Sequence, residues 1–282
     1  MIDRPWPADW SDPHDRDVIR VLPLSRNEDK GERPGWCTYT TDMGESPEIE
    51  VFCGGINAKT ATAAGVWRQG NLLHYGFDLS PDEMNASGQA ILVDAIVYIS
   101  RFTEDRPIME TPSPFAGTDF MTRARIESYL RRNDPSWWDY LRSSFDPKTL
   151  TYAGVKDLAS FAKWYPTVRD YLRPDSMARL QVDEDALTVR VRPGHREFID
   201  WAVVAMERPG EQGLRARRML ERYVPMGPGR EASPRAWADW WKANADYLFF
   251  GEVGGYRWYL DPLARARGVP TSRLRGALRA IR

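Results

Sequence analysis

The sequence is nearly without cysteine. Among its 282 residues only Cys37 and Cys53 carry thiols, in neither a CxxC pair nor a Cys/His cluster, which excludes a zinc knuckle and a disulfide framework. One bridge between the two is the most the sequence allows. Histidine is equally scarce: His14, His74 and His195 are too few for a histidine-rich metal centre, and neither a metal nor another cofactor is expected. Long apolar runs are missing too. Residues 95–99 form one of the longest, far short of the roughly 20 residues that span a bilayer, so no membrane partner is expected. The N-terminal decapeptide has no apolar stretch of the kind a signal peptide needs, and the default location is the cytoplasm. An opening rich in Pro and Asp, with no cap or strand of its own, also fits a chain cut from a longer precursor. Net charge is low, at −1, which argues against a chain that binds polyanions by charge alone.

What is present is enough apolar material for one large core or two ordinary ones, at 42% of residues. Charge is unevenly placed. Residues 1–110 carry 10 basic and 19 acidic side chains, leaving 29 and 21 for the remainder, so two differently charged regions are expected. Only 6 of the 39 basic residues are Lys, and the Arg is spread along the whole chain, so arginine content carries no functional signal.

Residues 1–16 read as an irregular arm. Strand-like runs follow at 18–24, 36–41, 48–53, 64–68 and 72–77, the last two joined by Gln69-Gly70-Asn71 as a hairpin. Ser80, Pro81 and Glu83 then have the spacing of a capping box, which predicts a helix over 81–102. Its broad apolar face (Met84, Ile91, Leu92, Ala95, Ile96, Ile99 and Phe102, widened by Val93, Val97 and Tyr98) predicts packing onto a sheet. Residues 106–117, with Pro107, Pro112, Pro114 and Gly117, read as a linker. Beyond it helices are expected at 119–132, 136–143, 155–171, 195–207, 211–223 and 234–245, with a short strand at 186–191. The helices 195–207 and 211–223 face each other as an αα-hairpin, but no second copy at a fixed period is evident. Residues 247–250 and 256–260 flank a Gly-rich turn as a further hairpin. The expected architecture is α+β: a small antiparallel or mixed sheet covered by a long helix at 15–105, then a mainly α-helical domain with a Trp-rich end at 118–282.

Catalytic constellations fail on missing residue types. Cys53-Gly-Gly-Ile-Asn-Ala-Lys59-Thr60 has the outline of a phosphate-binding loop, but Cys53 and Ala58 stand where that loop needs glycine. Asn57, Lys59 and Thr60 are kept as candidate ligand contacts. His74 with Asp78 and Cys53 would make a nucleophilic site only if the three converged at a strand end, and no Gly-x-Ser-x-Gly or Gly-x-Cys-x-Gly elbow is present. Trp237, Trp241 and Trp258 are candidate stacking platforms, although their helical spacing with Trp240 favours packing. The basic tail, 261–282, reads as a solvated helix face, and nucleic acid is not the expected partner.

The run from Ala64 to Phe77, with the helix that follows it to Phe102, resembles the closing segment of ThuA-like, class I glutamine amidotransferase-like domains. The resemblance covers residues 45–102 and implies a strand, a Gly-containing turn, a second strand and a final helix. It carries no chemistry over, because Phe77 follows Gly76 where the family tends to have His, and the nucleophile elbow is missing. The segment from Trp237 to Asn244, with Tyr247–Phe250 and Gly254–Trp258, is similar to part of large uncharacterised bacterial proteins and implies no activity. The leading expectation is a non-catalytic binding or protein-interaction module that meets a protein or small molecule through an inter-domain groove, the 54–62 loop or the Trp-rich end. The alternative is a degenerate amidotransferase-like hydrolase acting on a carbohydrate-derived or amide substrate.

Overall fold

The computed structural model describes residues 1–5, 18–26, 35–39, 46–54, 63–109 and 121–271. The chain is α+β, with small antiparallel sheets. It divides into two compact units, residues 1–43 with 48–107, and residues 108–282 with 44–47.

In the first unit β1 (Ile2–Pro5) pairs antiparallel with β2 (Val18–Val21), so the expected irregular arm begins with a strand. Asp3 and Arg20 face each other across this pair and are ion-paired at 3.2 Å, a cross-strand contact that its Pro-interrupted sequence does not announce. The main sheet is built on β5 (Ala63–Gln69). β4 (Ile49–Gly54) lines one of its edges, and β6 (Leu72–Tyr75) pairs along the other. β3 (Thr38–Tyr39) continues that second edge. Gly70 makes the two-residue turn between β5 and β6 with φ +56°, a conformation where glycine has no steric penalty.

The helix that follows, α1 (Ala86–Ile99), starts later than the capping-box spacing predicts. Only half of the box forms: the Ser80 N–H and hydroxyl both donate to the Glu83 carboxylate, at 3.1 and 2.9 Å, while the Glu83 N–H donates to the Ser80 backbone carbonyl at 2.9 Å. It closes a turn instead of opening the helix. Asn85 is the cap, its Oδ1 accepting from Gly88 N–H at 3.0 Å while its Nδ2 donates to the Pro23 carbonyl at 2.9 Å. Asn85→Ala is therefore expected to destabilise the first unit by about 1–2 kcal/mol. Ser80→Ala should change it by less than about 0.5 kcal/mol. Urea denaturation of the two variants checks the assignment.

The second unit runs through α2 (Arg123–Arg132), α3 (Trp138–Ser143), α4 (Pro147–Tyr152) and α5 (Leu158–Val168). Next come β7 (Leu172–Pro174), β8 (Leu180–Val182), α6 (Glu184–Val189), α7 (Glu197–Ala205), α8 (Glu211–Tyr223) and α9 (Pro234–Asn244). β9 (Leu248–Gly251), β10 (Arg257–Leu260) and α10 (Pro262–Arg267) complete the described chain. Two apolar clusters hold it together. One gathers Ile126, Leu141, Phe145, Phe161 and Tyr165 from α2 to α5, and the other Phe198, Ile199, Met219, Leu220 and Trp237 from α7 to α9. The strand expected at 186–191 is instead the end of α6. Asp183 accepts from Ala186 N–H at 3.0 Å and starts a helical turn there, overriding the β-branched residues.

The unit contains a duplication. α5, a 3-10 turn ending at Tyr171, the β7–β8 hairpin and an Asp183-capped helix are matched by α9, a 3-10 turn ending at Tyr247, the β9–β10 hairpin and an Asp261-capped helix. Both long helices have 11 residues. In both copies the capping Asp donates its backbone N–H to the Tyr carbonyl, at 2.8 and 2.9 Å. A buried alanine, Ala186 or Ala264, follows three positions on. This is a repeat of helix, hairpin and helix, distinct from the αα-hairpin of α7 and α8.

Candidate functional site

The first unit keeps His74 and Cys53 apart. Cys53 pairs with Val66, which pairs with Tyr75, whereas His74 pairs with Trp67. Adjacent strand residues point to opposite faces, so the thiol and the imidazole lie on opposite sides of the sheet. His74 stacks near Trp67, with ring centres 5.7 Å apart, and its Nε2 bonds the Trp36 carbonyl at 2.7 Å. That contact ties β6 to the segment leading into β3. Burial pushes the Cys53 thiol up, against a smaller lowering by its hydrogen bond with the Val66 backbone, so the thiolate a nucleophile needs is disfavoured. Asp78 is exposed beyond the strand end. Asn57, Lys59 and Thr60 lie outside the described residues, as does most of the 54–62 loop. Among the described residues, no three His, Cys, Asp or Glu side chains are placed to hold a metal ion.

The tryptophans of the C-terminal part are occupied in packing. Trp237 and Trp258 are buried, with their indole N–H groups donated to the carbonyls of Gly229 and Pro193 at 3.0 and 2.7 Å. Trp241, half-buried, donates to Asp200 at 2.6 Å. Trp237 and Trp258 present no free ring face for a sugar or base, and Trp241 is fixed from α7.

Two other features stand out. The first is α1. Its inner side buries Gly88, which lies against Leu24 and Met84, and Ala95, while its outer side carries Val93, Ile96 and Val97, at 56%, 58% and 51% exposure, on the same side as Ala86 and Ala90. The stripe Ala86, Ala90, Val93, Val97 follows helical spacing, and Asp94 is the only charged residue in the helix. A helix apolar on both sides is built to be covered on both sides. The second feature is a charged cluster in the other unit, where the β9–β10 turn meets α2. Glu252 accepts from the Arg123 backbone N–H at 2.9 Å and from Arg123 Nε at 2.6 Å. Arg123 Nη1 donates to Asp170 at 3.0 Å, Arg192 lies 3.4 Å from Asp170, and Arg169 donates to Glu127 at 2.8 Å. Tyr256, fully buried, holds φ +57° and donates its hydroxyl to the Met121 carbonyl at 3.0 Å. A bulky residue in the left-handed region is strained, and such strain collects where geometry serves a purpose.

No family model, curated protein or solved structure matches the chain. The chemistry of the two features therefore rests on their own residues. Neither was visible as a site in the sequence. The sequence places Val93, Ile96 and Val97 on one broad apolar face that packs onto a sheet, and singles out neither Ala86 nor Ala90. The Arg123–Glu252 pair joins residues far apart in the chain, and Glu252 stood in a stretch read only as a Gly-rich turn. A signal for the stripe did exist: apolar residues occupy more of the helix circumference than one sheet face can cover.

Among the described residues no helix is long and apolar enough to cross a membrane.

Proposed function

We propose that the chain is a non-catalytic protein-interaction module whose contact surface is the outer face of α1. The observation that carries this reading is the exposure of Val93, Ile96 and Val97 on one side of a helix already packed on its other side. Ala86 and Ala90 keep the first half of the stripe low, so a partner helix can approach closely over them and meet the valines further along. The partner this fits is a protein presenting an apolar helix or sheet face with few charges. The order β5, turn, β6, α1 supports reading residues 45–102 as the closing segment of an amidotransferase-like domain put to binding use. The separation of His74 from Cys53 favours that reading over a hydrolase.

Replacing Val93 and Val97 by Lys together tests the surface. Both side chains are exposed, so the stability of the first unit should stay within about 0.5 kcal/mol of the parent. Binding of the dye 8-anilinonaphthalene sulfonate, which reports open apolar surface, should fall in the double variant. A variant that unfolds would place the stripe in the core and remove the proposal's basis.

A further inference from the structure

The outer face of α1 is complementary to itself. Its stripe of exposed residues, Ala86, Ala90, Val93 and Val97, has spacings of four, three and four, which read the same from either end. Laid antiparallel on a second copy about a two-fold axis between Ile91 and Leu92, the stripe maps onto itself with every alanine against a valine. Ala86 lies opposite Val97, and Ala90 opposite Val93. A parallel pairing sets alanine on alanine and valine on valine, which leaves a gap at one end and crowding at the other. The antiparallel pairing sets small against large along the whole stripe, so two helices can close to the usual separation of about 8–10 Å.

Charge agrees with this pairing. Asp94, the only charged residue of α1, comes beside Ser87 of the second copy, on the same flank, where the hydroxyl can donate to the carboxylate. Arg101 follows the carboxyl end of the helix, and Asp82 and Glu83 precede its amino end, all three exposed. Antiparallel copies bring the basic end of each helix to the acidic end of the other. Area sets the strength. A helix of 14 residues is about 21 Å long. Ile96 widens the patch on one flank, and on the other Tyr98 does so with Phe52, which is 44% exposed and packs edge-on against it at 5.1 Å. One helix face with these flanks falls short of the roughly 800 Å² per partner of a stable interface, so the pair exchanges in the micromolar range.

We propose, on the reading of α1 as the contact surface, that its partner is a second copy of this chain with the two α1 helices packed antiparallel. Sedimentation velocity of the full chain, from micromolar concentrations to about 0.5 mM, should show a monomer–dimer equilibrium. Val93→Lys with Val97→Lys should weaken it at least about ten-fold. Register is tested by volume. Ala90→Leu sets a large side chain against Val93 and should weaken dimerisation about ten-fold, and adding Val93→Ala should bring it back to within about three-fold of the parent. The substituted positions are exposed, and thermal unfolding of each variant separates loss of association from loss of folding. A chain that stays monomeric at the highest concentration overturns the proposal. So does a dimer indifferent to the two lysines, or an Ala90→Leu loss that Val93→Ala does not repair. Benzoylphenylalanine at Val93 tells this failure from failure of the contact surface itself. A discrete photo-adduct with a different protein would overturn the second copy and leave the surface standing, whereas no adduct at all would overturn both.

Discussion

Glu50→Ala is expected to remove about 3–5 kcal/mol from the first unit, the scale for breaking a buried ion pair. Glu50 on β4 and Arg68 on β5 are directly opposite in register and form a salt bridge with side chains only 13% and 8% exposed. Arg68 also donates to the Gly70 carbonyl at 2.8 Å and sits over the Phe102 ring at 3.7 Å, while the Tyr98 hydroxyl donates to Glu50 at 2.9 Å. The pair is thus sealed beneath the end of α1. Removing Glu50 alone leaves a guanidinium buried with one carbonyl and an aromatic face, too little to offset its desolvation. Replacing both residues with Met takes away the charges together and should cost far less than the single change, within about 1.5 kcal/mol of the parent. Urea denaturation of Glu50→Ala, Arg68→Met and the double Met variant separates the two cases. Equal losses in single and double variants would show that the pair contributes net attraction instead of mutual compensation.

Asp183→Ala should be as damaging to the second unit, by about 3–5 kcal/mol, whereas the same change at the matching Asp261 should cost only about 1 kcal/mol. The two residues hold one position in the two repeats and cap equivalent helices, Asp261 accepting from Leu263 and Ala264 N–H at 3.0 and 2.9 Å. Asp183 does more. It is ion-paired with Arg222, accepts from the Tyr223 hydroxyl at 2.7 Å and lies 3.4 Å from Arg173 Nε. Its loss strands the buried Tyr223 hydroxyl, takes the carboxylate from beside Arg173 and leaves Arg222 with only its longer contact to Asp185, at 3.7 Å. Asp183→Asn, which keeps an acceptor for the cap and removes the charge, should fall between the two. Guanidinium denaturation followed by tryptophan fluorescence gives all three values. Similar losses at Asp183 and Asp261 would mean that capping alone sets the energy at both.

Much of the fold was legible. The span of α8 could be read to the residue, because its apolar period is clean and Gly210 breaks the chain just before it. The β5–β6 and β9–β10 hairpins announced themselves through turns with glycine between apolar runs. What failed did so for local physical reasons. Ser80 and Glu83 have the right spacing for a cap, yet spacing cannot say whether the turn they close continues as helix, and Asn85 takes over because it also binds the Pro23 carbonyl from a distant segment. Residues 186–191 look like a strand until Asp183 is seen to hold the first N–H groups of a helix. The duplication was hidden because its copies share few side chains beyond Asp-Tyr-Leu at 170–172 and 246–248, and because the strands of the second hairpin are each one residue longer than those of the first. Arg68 and Glu50 fall in the strand-like runs 64–68 and 48–53, and nothing local in the sequence says that they pair and bury together.

The candidate sites were the least legible part. Of the residues named from sequence, His74 and Cys53 fall on opposite sides of one sheet, Trp237 and Trp258 are in the core, and Trp241 is held by Asp200. Their chemistry was inferred from residue type, and residue type does not fix which face a side chain takes. The exposed side of α1 emerges only when the sheet is seen to cover half of the helix.

The most direct test of the interaction reading is site-specific photo-crosslinking in the cells that make the protein. A benzoylphenylalanine placed at Val93 should yield one discrete crosslinked species that disappears when Val97 is also changed to Lys. The same probe at Tyr152, 87% exposed in the second unit, should yield none. A Val93 probe that captures nothing, or captures the same diffuse products as Tyr152, would contradict the assignment of α1 as the contact surface.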